Sequence, residues 1–158
     1  LEAVAGGLAI VRDAEAAATS GESGYLSKLK KNKGKLLIQN VIEGSLNGDR
    51  WCVERIIKAG NDIGTVLATL VNFHNPSLIV IGGSVSAAGD KLLASIRETV
   101  LNRSLPLATR DLQIRISEYP TEAGLTGAVE MVINEVFSAE TLRKWVSEGH
   151  PGPQTISA

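Results

Sequence analysis

The chain has 158 residues, about the size of one domain, and its 16 basic and 17 acidic residues give a formal net charge of −1, so no overall field attracts nucleic acid or an anionic membrane. Its one cysteine, Cys52, excludes an internal disulfide framework and a cysteine-rich zinc site built from this chain alone, and aromatic residues, at 4%, are too few for a base-stacking surface. No window approaches the ~20 apolar residues of a membrane span and no signal segment leads the chain, so we expect a soluble, cytoplasmic protein.

The first segment, LEAVAGGLAIVRDAEAAA, predicts a helix from Leu1 to about Ala18, because its apolar residues recur at helical spacing. Gly6 and Gly7 predict close packing of this helix. The segment is helical in pattern from its first residue, with no initiator methionine and no leading strand. We therefore expect the chain to be a piece of a longer protein.

Glycine and serine break the helical pattern in the next segment, TSGESGYLSKLKKNKGKLLIQNV, where five lysines fall between Lys28 and Lys35. This composition predicts a solvated loop. A phosphate-binding patch is the alternative, although no arginine or aromatic residue interleaves the lysines. A short helix is then predicted to begin at Asn40 or Ser45.

A long buried helix is predicted from Trp51 to Phe73, where apolar residues recur at steps of three and four. Asp49 precedes it in a turn and is a natural N-cap. Gly60 and Gly64 lie one turn apart on the apolar stripe. Because they lack side chains, we expect another backbone to approach this helix closely.

The second half alternates strands and helices after Asn75-Pro76, which stops the long helix. SLIVIGG predicts a short strand of a parallel sheet covered on both faces, since it is continuously apolar. Further predictions are a helix in DKLLASIRETVLNRSL, a strand in DLQIRIS, a helix in GLTGAVEMVINEVF and a last helix, capped by Ser138, in SAETLRKWVSEG. This order predicts an α/β layer with parallel strands, packed on the helices of the first half.

Gly82 and Gly83 follow the first predicted strand, at the edge of a parallel sheet where ligands bind. Glycine permits positive φ and a close backbone approach, so a nucleotide fits there. The same pair also serves merely to turn the chain, and the pattern is neither a phosphate loop nor a full dinucleotide fingerprint. Both interpretations stay open on spacing alone.

Other chemical groups carry weaker signals. His74 and His150 lie in different contexts, so no metal site is predicted, and His74 is interpreted as a helix-end residue that caps or packs. Ser84 and Ser86 do not form a nucleophile elbow, which disfavours a hydrolase. Glu2, taken alone, is a carboxylate that interacts with a helix dipole.

Three segments in order, LEAVAGGLAI, LVNFHNPSLIVIGGSVSAAGDKLLASIRE and EAGLTGAVEMVI, resemble the closing half of ROK-family proteins, which comprise bacterial sugar kinases and sugar-responsive transcriptional repressors. The resemblance implies an α/β chain with the actin-like, ribonuclease-H-like sugar kinase fold, here a C-terminal lobe fragment with helices on a small parallel sheet. It assigns residues 1–137 to that lobe, while the residues themselves predict a terminal helix at 138–148 and a Pro- and Gly-rich flexible tail at 149–158.

The same resemblance implies roles for three residues. Glu2 corresponds to a glutamate that hydrogen-bonds sugar hydroxyls, and Gly82 and Gly83 correspond to glycines facing the adenosine end of ATP. The family's first phosphate loop, its catalytic base and its zinc-binding residues belong to an N-terminal lobe that this chain lacks. We therefore expect the chain to be catalytically inert by itself, with no catalytic or metal-binding residue and with zinc only in an upstream segment.

The predicted function is the C-terminal sugar-effector-binding and oligomerisation part of a ROK-family transcriptional regulator. NRSLPLATRDLQIRIS and FSAETLRKWV look more like the regulators of this family than like its glucokinases. The alternative is the ATP-facing lobe of a ROK sugar kinase, with magnesium-ATP as cofactor, and a third hypothesis is an interaction domain without a ligand. Expected partners are a small sugar, a second copy of the chain, and DNA only through an upstream winged-helix domain.

Overall fold

The computed structural model describes residues 1–118 and 123–149. The chain divides into two compact units, Leu1–Pro120 and Thr121–Ala158. The described part of the first unit contains α1 (Glu2–Ala5), α2 (Gly7–Ser20), α3 (Gly24–Lys33), α4 (Ile38–Leu46), α5 (Arg50–His74), β1 (Leu78–Ile81), α6 (Asp90–Arg103), α7 (Pro106–Thr109) and β2 (Gln113–Ile116). The second unit contains α8 (Ala123–Val136) and α9 (Ala139–Glu148).

The first predicted helix is broken at Gly6, so the prediction of one continuous helix was wrong at this residue. Gly6 has extended backbone angles, φ −76° and ψ 162°, and separates α1 from α2. A Cβ atom on Gly6 would lie 2.6 Å from the carbonyl oxygen of Glu2 and 2.9 Å from Cγ of Glu2. The break therefore depends on a residue without a side chain.

The lysine-rich segment contains a helix, α3, where a solvated loop was predicted. Ser23 caps it, because the Ser23 hydroxyl accepts a hydrogen bond from the Leu26 amide at 3.1 Å. Leu26 is fully buried, and the ammonium group of Lys30 pairs with the Glu15 carboxylate on α2. Capping, one buried leucine and an ion pair thus stabilise a helix that the composition does not indicate.

The long helix α5 confirms its predicted start and end. The Asp49 carboxylate accepts a hydrogen bond from the Cys52 amide at 3.0 Å, which is the predicted N-cap. The helix ends at His74, and Asn75 follows in a left-handed conformation, with φ 47°, directly before Pro76. The short helix α4 covers the predicted position but begins two residues before Asn40.

Helices α5 and α6 meet along a line that we call the glycine seam, formed by Gly60, Gly64, Ser95 and Thr99. A Cβ atom on Gly60 would lie 2.6 Å from Cβ of Ser95, and one on Gly64 would lie 2.7 Å from Cβ of Thr99. Each would also lie 3.0 Å from a carbonyl oxygen of α6. The predicted close approach of a second backbone is confirmed.

The two strands pair in parallel, from Leu78 opposite Gln113 to Ile81 opposite Ile116, as predicted. Ile79 and Ile81 pack against the hydrophobic core, whereas Leu78 and Val80 are 50% and 56% exposed. Alternating residues of a strand point to opposite faces. Within residues 1–118 one face of the sheet packs against the core, and the covering of the other face stays a prediction.

In the second unit, α8 and α9 lie where helices were predicted. The Ser138 hydroxyl accepts a hydrogen bond from the Thr141 amide at 3.1 Å, which confirms the predicted cap. The predicted tail lies outside the described residues except for Gly149, as does His150. Within residues 1–118 and 123–149, no helix has the length and hydropathy needed to cross a membrane.

Candidate functional site

A cavity of about 400 Å³ lies in the first unit, between the start of the chain and the loop after β1. Its lining comes from Leu1 and Glu2, from residues 5–7 at the junction of α1 and α2, from Ile63 on α5, and from residues 82–85. The structure thus brings Glu2, Gly82 and Gly83 together at one cavity, although some 80 residues separate them in the sequence.

Glu2 lies in the first turn of α1. Its side chain is exposed, and Ala5 is the buried residue of this four-residue helix. In the described part of the chain, no basic group lies within 4.0 Å of the Glu2 carboxylate. Both carboxylate oxygens are therefore free of ion pairs with these residues and can accept hydrogen bonds from a ligand.

The loop after β1 depends on Gly83, whose φ of 85° and ψ of 175° suit only glycine. Gly83 precedes a short 3₁₀ turn, Ser84–Ala88. The buried hydroxyl of Ser86 donates to the Gly83 carbonyl at 2.7 Å, and the Ser86 amide donates to the same oxygen at 3.1 Å. The positive φ that the sequence permitted is present at Gly83, and Ser86 holds the loop in this conformation.

Gly7 and Ser84 join the two sides of the cavity, a contact that the sequence analysis missed. A Cβ atom on Gly7 would lie 2.9 Å from the Ser84 hydroxyl oxygen. The start of α2 and the loop after β1 therefore approach each other through a glycine. The signal was present in the sequence as the Gly6-Gly7 pair, but it indicated only that some neighbour comes close.

A second cavity of about 320 Å³ shares Glu2, Gly7 and Ser84 with the first. Leu8 and Val11 of α2 and residues 35–39 complete its lining. Lys35, from the lysine-rich segment, contributes an ammonium group here, and Gln39 contributes an amide. Glu2 thus borders both cavities, which the sequence did not indicate.

A buried arginine lies behind α1. Arg55 on α5 is 6% exposed, and its Nε donates to Asp13 Oδ2 at 3.0 Å while Nη2 donates to the Val4 carbonyl at 2.8 Å. Partial burial of Asp13 opposes its ionisation, but hydrogen bonds from Arg12 and Arg55 outweigh this effect and hold the pKa of Asp13 below its ordinary value. No motif in the sequence marked this arginine.

The remaining candidates lie away from the cavities. His74 is the exposed last residue of α5, and its ring and that of the exposed Phe73 are nearly perpendicular with centroids 4.8 Å apart. Cys52 is fully buried, and burial, followed by the nearby Asp49 carboxylate, raises the pKa of its thiol. Over residues 1–118 and 123–149, no three His, Cys, Asp or Glu side chains are arranged to hold a metal ion.

The chain is similar to proteins of two kinds. It is 29% identical over 108 residues to the xylose repressor of Caldicellulosiruptor bescii, covering 68% of this chain and 27% of the repressor. It is 30% identical over 140 residues to the glucokinase of Halalkalibacterium halodurans, covering 89% of this chain and 42% of the glucokinase. The chain therefore spans between a quarter and a half of the length of these relatives.

The chain is also similar to a solved structure. The crystal structure of a ROK family transcriptional regulator, a homologue of Escherichia coli Mlc, superposes with a TM-score of 0.64 at 28% identity, covering 73% of this chain and 28% of the regulator. The helix-rich α/β unit with its small parallel sheet thus has the actin-like fold that the sequence predicted. The ROK family model matches residues 1–135, and the chain belongs to the ROK family.

Proposed function

We propose that the chain is the C-terminal effector-binding part of a ROK-family transcriptional regulator and that the first cavity holds a sugar. The observation that carries this proposal is the position of Glu2, whose ion-pair-free carboxylate lines a cavity of about 400 Å³. Sites for small molecules are typically clefts of roughly 300–1,000 Å³ with a few polar groups. Similarity to a xylose repressor and to a ROK regulator supports the regulatory role.

The chemistry of the cavity suits a polyhydroxylated ring. An ionised carboxylate accepts hydrogen bonds from two adjacent hydroxyls and thereby orients the ring, and the Ser84 hydroxyl can donate or accept beside it. Gly6, Gly7 and Gly82 leave room for the ligand, while Ile63 offers apolar surface. In the intact regulator, sugar binding changes the relation of the two lobes and hence the affinity for DNA, which contacts an upstream domain.

Association with a second copy of the chain is part of this proposal. Val66, Leu70 and Phe73 recur on one stripe of α5 and are 41%, 44% and 81% exposed. Large apolar side chains in a row on a helix surface favour burial against a partner. Sedimentation of the full-length protein tests this point, and a monomer at all concentrations would contradict it.

The alternative function is the ATP-facing lobe of a ROK sugar kinase. The similarity to a glucokinase covers 89% of this chain, more than the similarity to the xylose repressor does. Gly82 and Gly83 are exposed after β1, and a Cβ on Gly83 would meet nothing within 4 Å, so the loop leaves space for the adenosine end of ATP. ATP would supply the phosphoryl group, while these glycines would hold only the nucleoside.

A calorimetric titration of magnesium-ATP into the full-length protein separates the two functions. The titration is made in the presence of common hexoses and N-acetylhexosamines at saturating concentration. Heat with micromolar affinity, followed by turnover, would show a kinase and overturn the regulator. We expect no heat from ATP in a protein whose melting temperature the sugars still raise.

The substitution Gly83→Val sharpens this result. Valine is strained at a φ of 85°, and its side chain would project from the loop that faces the nucleotide in a kinase. A kinase should lose ATP binding in Gly83→Val. Gly21→Val is the control, since Gly21 has a φ of 82° but lines neither cavity. Unchanged ATP binding in a folded Gly83→Val protein would contradict the assignment of Gly83 to the nucleotide.

A further inference from the structure

Arg55 connects three helices, and its charged side chain is buried there, which costs solvation free energy. It lies on α5, with 6% of its surface exposed, and it reaches Asp13 on α2 and the Val4 carbonyl on α1. Its Nη2 is 2.9 Å from Asp13 Oδ2 and 2.8 Å from the Val4 oxygen. One guanidinium therefore ties α1 to both longer helices.

The Arg55 hydrogen bond reaches α1 at Val4, next to its buried residue Ala5. The part of α1 that the structure describes is Glu2–Ala5. Leu1 and Val4 are 57% and 49% exposed, so Ala5 supplies the buried apolar contact. At Gly6 the backbone is extended, so α1 is not continuous with the regular hydrogen bonding of α2.

The hydrogen-bonding geometry of Arg55 suits it to attaching α1, whereas its burial adds little to the stability of the fold. Its Nη1 atom is buried and has no hydrogen-bond partner among the described residues. A buried ion pair is often no more stabilising than apolar residues of the same size, and an unpaired nitrogen adds to its cost. A planar guanidinium, however, donates in two directions at once, which a lysine ammonium does not do in the same geometry.

We propose that Arg55 is a positioning residue for the sugar-binding carboxylate. By donating to the Val4 carbonyl it fixes α1 against α5, and this contact sets where Glu2 stands at the border of the two cavities. Asp13 orients the guanidinium for this purpose. The role of Glu2 rests on the proposed function, whereas the attachment of α1 by Arg55 does not.

The first test uses Arg55→Lys in the full-length protein and measures hydrogen–deuterium exchange of the Val4, Ala5 and Gly6 amides, which form the backbone hydrogen bonds of α1. These amides should exchange about tenfold faster, as expected for loss of one hydrogen bond to a charged group. Amides of α6 should be unchanged. Unaltered exchange in α1 would overturn the attachment, and this test needs no ligand.

The second test measures sugar affinity by calorimetry well below the melting temperature. Arg55→Lys should weaken binding about tenfold or more, since Glu2 is no longer held in place. The control is Val100→Ala, a buried residue of α6, which lowers stability but should leave affinity unchanged. Equal affinity of Arg55→Lys and wild type would overturn the positioning role, whereas a wild type that binds no sugar would contradict the proposed function instead.

A third variant covers the case in which Arg55→Lys does not fold. Arg55→Met fills similar space without a buried charge, and the Asp13 carboxylate that it leaves without this partner is 35% exposed and so remains solvated. It also removes the donor to the Val4 carbonyl. Faster exchange in α1 and weaker sugar binding are expected again, and wild-type values in both measurements would refute the proposal.

Discussion

The glycine seam and the short helix α1 are held by different kinds of contact. At the seam, α5 and α6 approach so closely that a single added carbon would lie within 2.7 Å of a neighbouring side chain. Helix α1 has one buried side chain and a hydrogen bond from Arg55. Glu2, which we propose to face the sugar, therefore lies on an element attached by a polar contact, next to helices that pack closely without side chains at the seam.

The largest effect is expected from a side chain placed in the seam. Gly64→Val would bring a Cβ atom 2.7 Å from Cβ of Thr99 and 3.0 Å from a backbone oxygen of α6, so the helices must separate. Overpacking of this kind costs about 3 kcal/mol. Chemical denaturation measures the free energy of unfolding.

The control for this variant is Gly127→Val on α8. A Cβ atom on Gly127 would meet nothing within 4 Å, so the same substitution should change stability by only a few tenths of a kcal/mol. An equal loss of stability in the two variants would mean that the seam is not the tight contact that the distances indicate.

The sequence predicted the seam but not the break in the first helix. Gly60 and Gly64 lie one turn apart on an apolar stripe, and in a long helix this spacing favours the close approach of another backbone. Gly6 lies in an equally helical pattern, yet the chain is extended there. At the break α1 contacts α5 through the Arg55 hydrogen bond to Val4, and a helical pattern alone does not show such a contact.

Helix α3 was missed for the same reason. Its composition is that of a loop, because glycine, serine and lysine predominate. The buried Leu26 and the pairing of Lys30 with Glu15 stabilise it, and neither contact is visible before α2 and α3 are placed side by side. Propensity is a weak guide where such contacts decide.

At the site, the predicted roles of Glu2, Gly82 and Gly83 came from the family resemblance, because residue spacing alone did not indicate them. Glu2 alone indicated a charge at a helix start, and Gly82-Gly83 alone indicated a turn. The start of α2 and the loop after β1 approach each other at Gly7 and Ser84, next to the cavity that Glu2, Gly82 and Gly83 line. Arg55 donates a hydrogen bond to the Val4 carbonyl on α1. Such residues touch partners that are distant in sequence, so no motif marks them.

A smaller loss of free energy, in sugar binding, is expected from a change at Glu2, the residue that we propose to face the sugar. Glu2→Gln in the full-length protein should weaken sugar binding by about 1–3 kcal/mol, because it removes a charge-assisted acceptor. Stability should change little, since Glu2 is exposed and has no ion pair with the described residues. Calorimetry measures the affinity.

The matched control is Glu98→Gln, an exposed glutamate on α6 that lines neither cavity. This variant loses the same charge but should bind sugar as the wild type does. Unchanged affinity in Glu2→Gln would refute the assignment of Glu2, and equal weakening in both variants would point to the overall charge instead.

The smallest effect concerns Glu15, which joins α2 to α3. The Lys30 ammonium, followed by the Leu36 amide at 2.7 Å, lowers the pKa of Glu15 from its ordinary value of 4.5. A carboxyl whose pKa is lower in the folded state stabilises the protein fully above that ordinary value and loses this contribution as the pH falls through the lowered one. Glu15→Gln keeps an acceptor for Leu36 but loses the charge.

We expect Glu15→Gln to lower the free energy of unfolding by about 0.5 kcal/mol at pH 7, a typical value for a partly exposed pair. The difference from wild type should shrink as the pH falls below 4.5, because the wild-type carboxyl then becomes neutral too. Glu54→Gln removes the more exposed pair with Arg50 and should have less effect at either pH. A Glu15→Gln difference that stays constant down to pH 3 would show that the carboxylate charge does not hold α3, and that the Ser23 cap and the packing of Leu26 stabilise this helix instead.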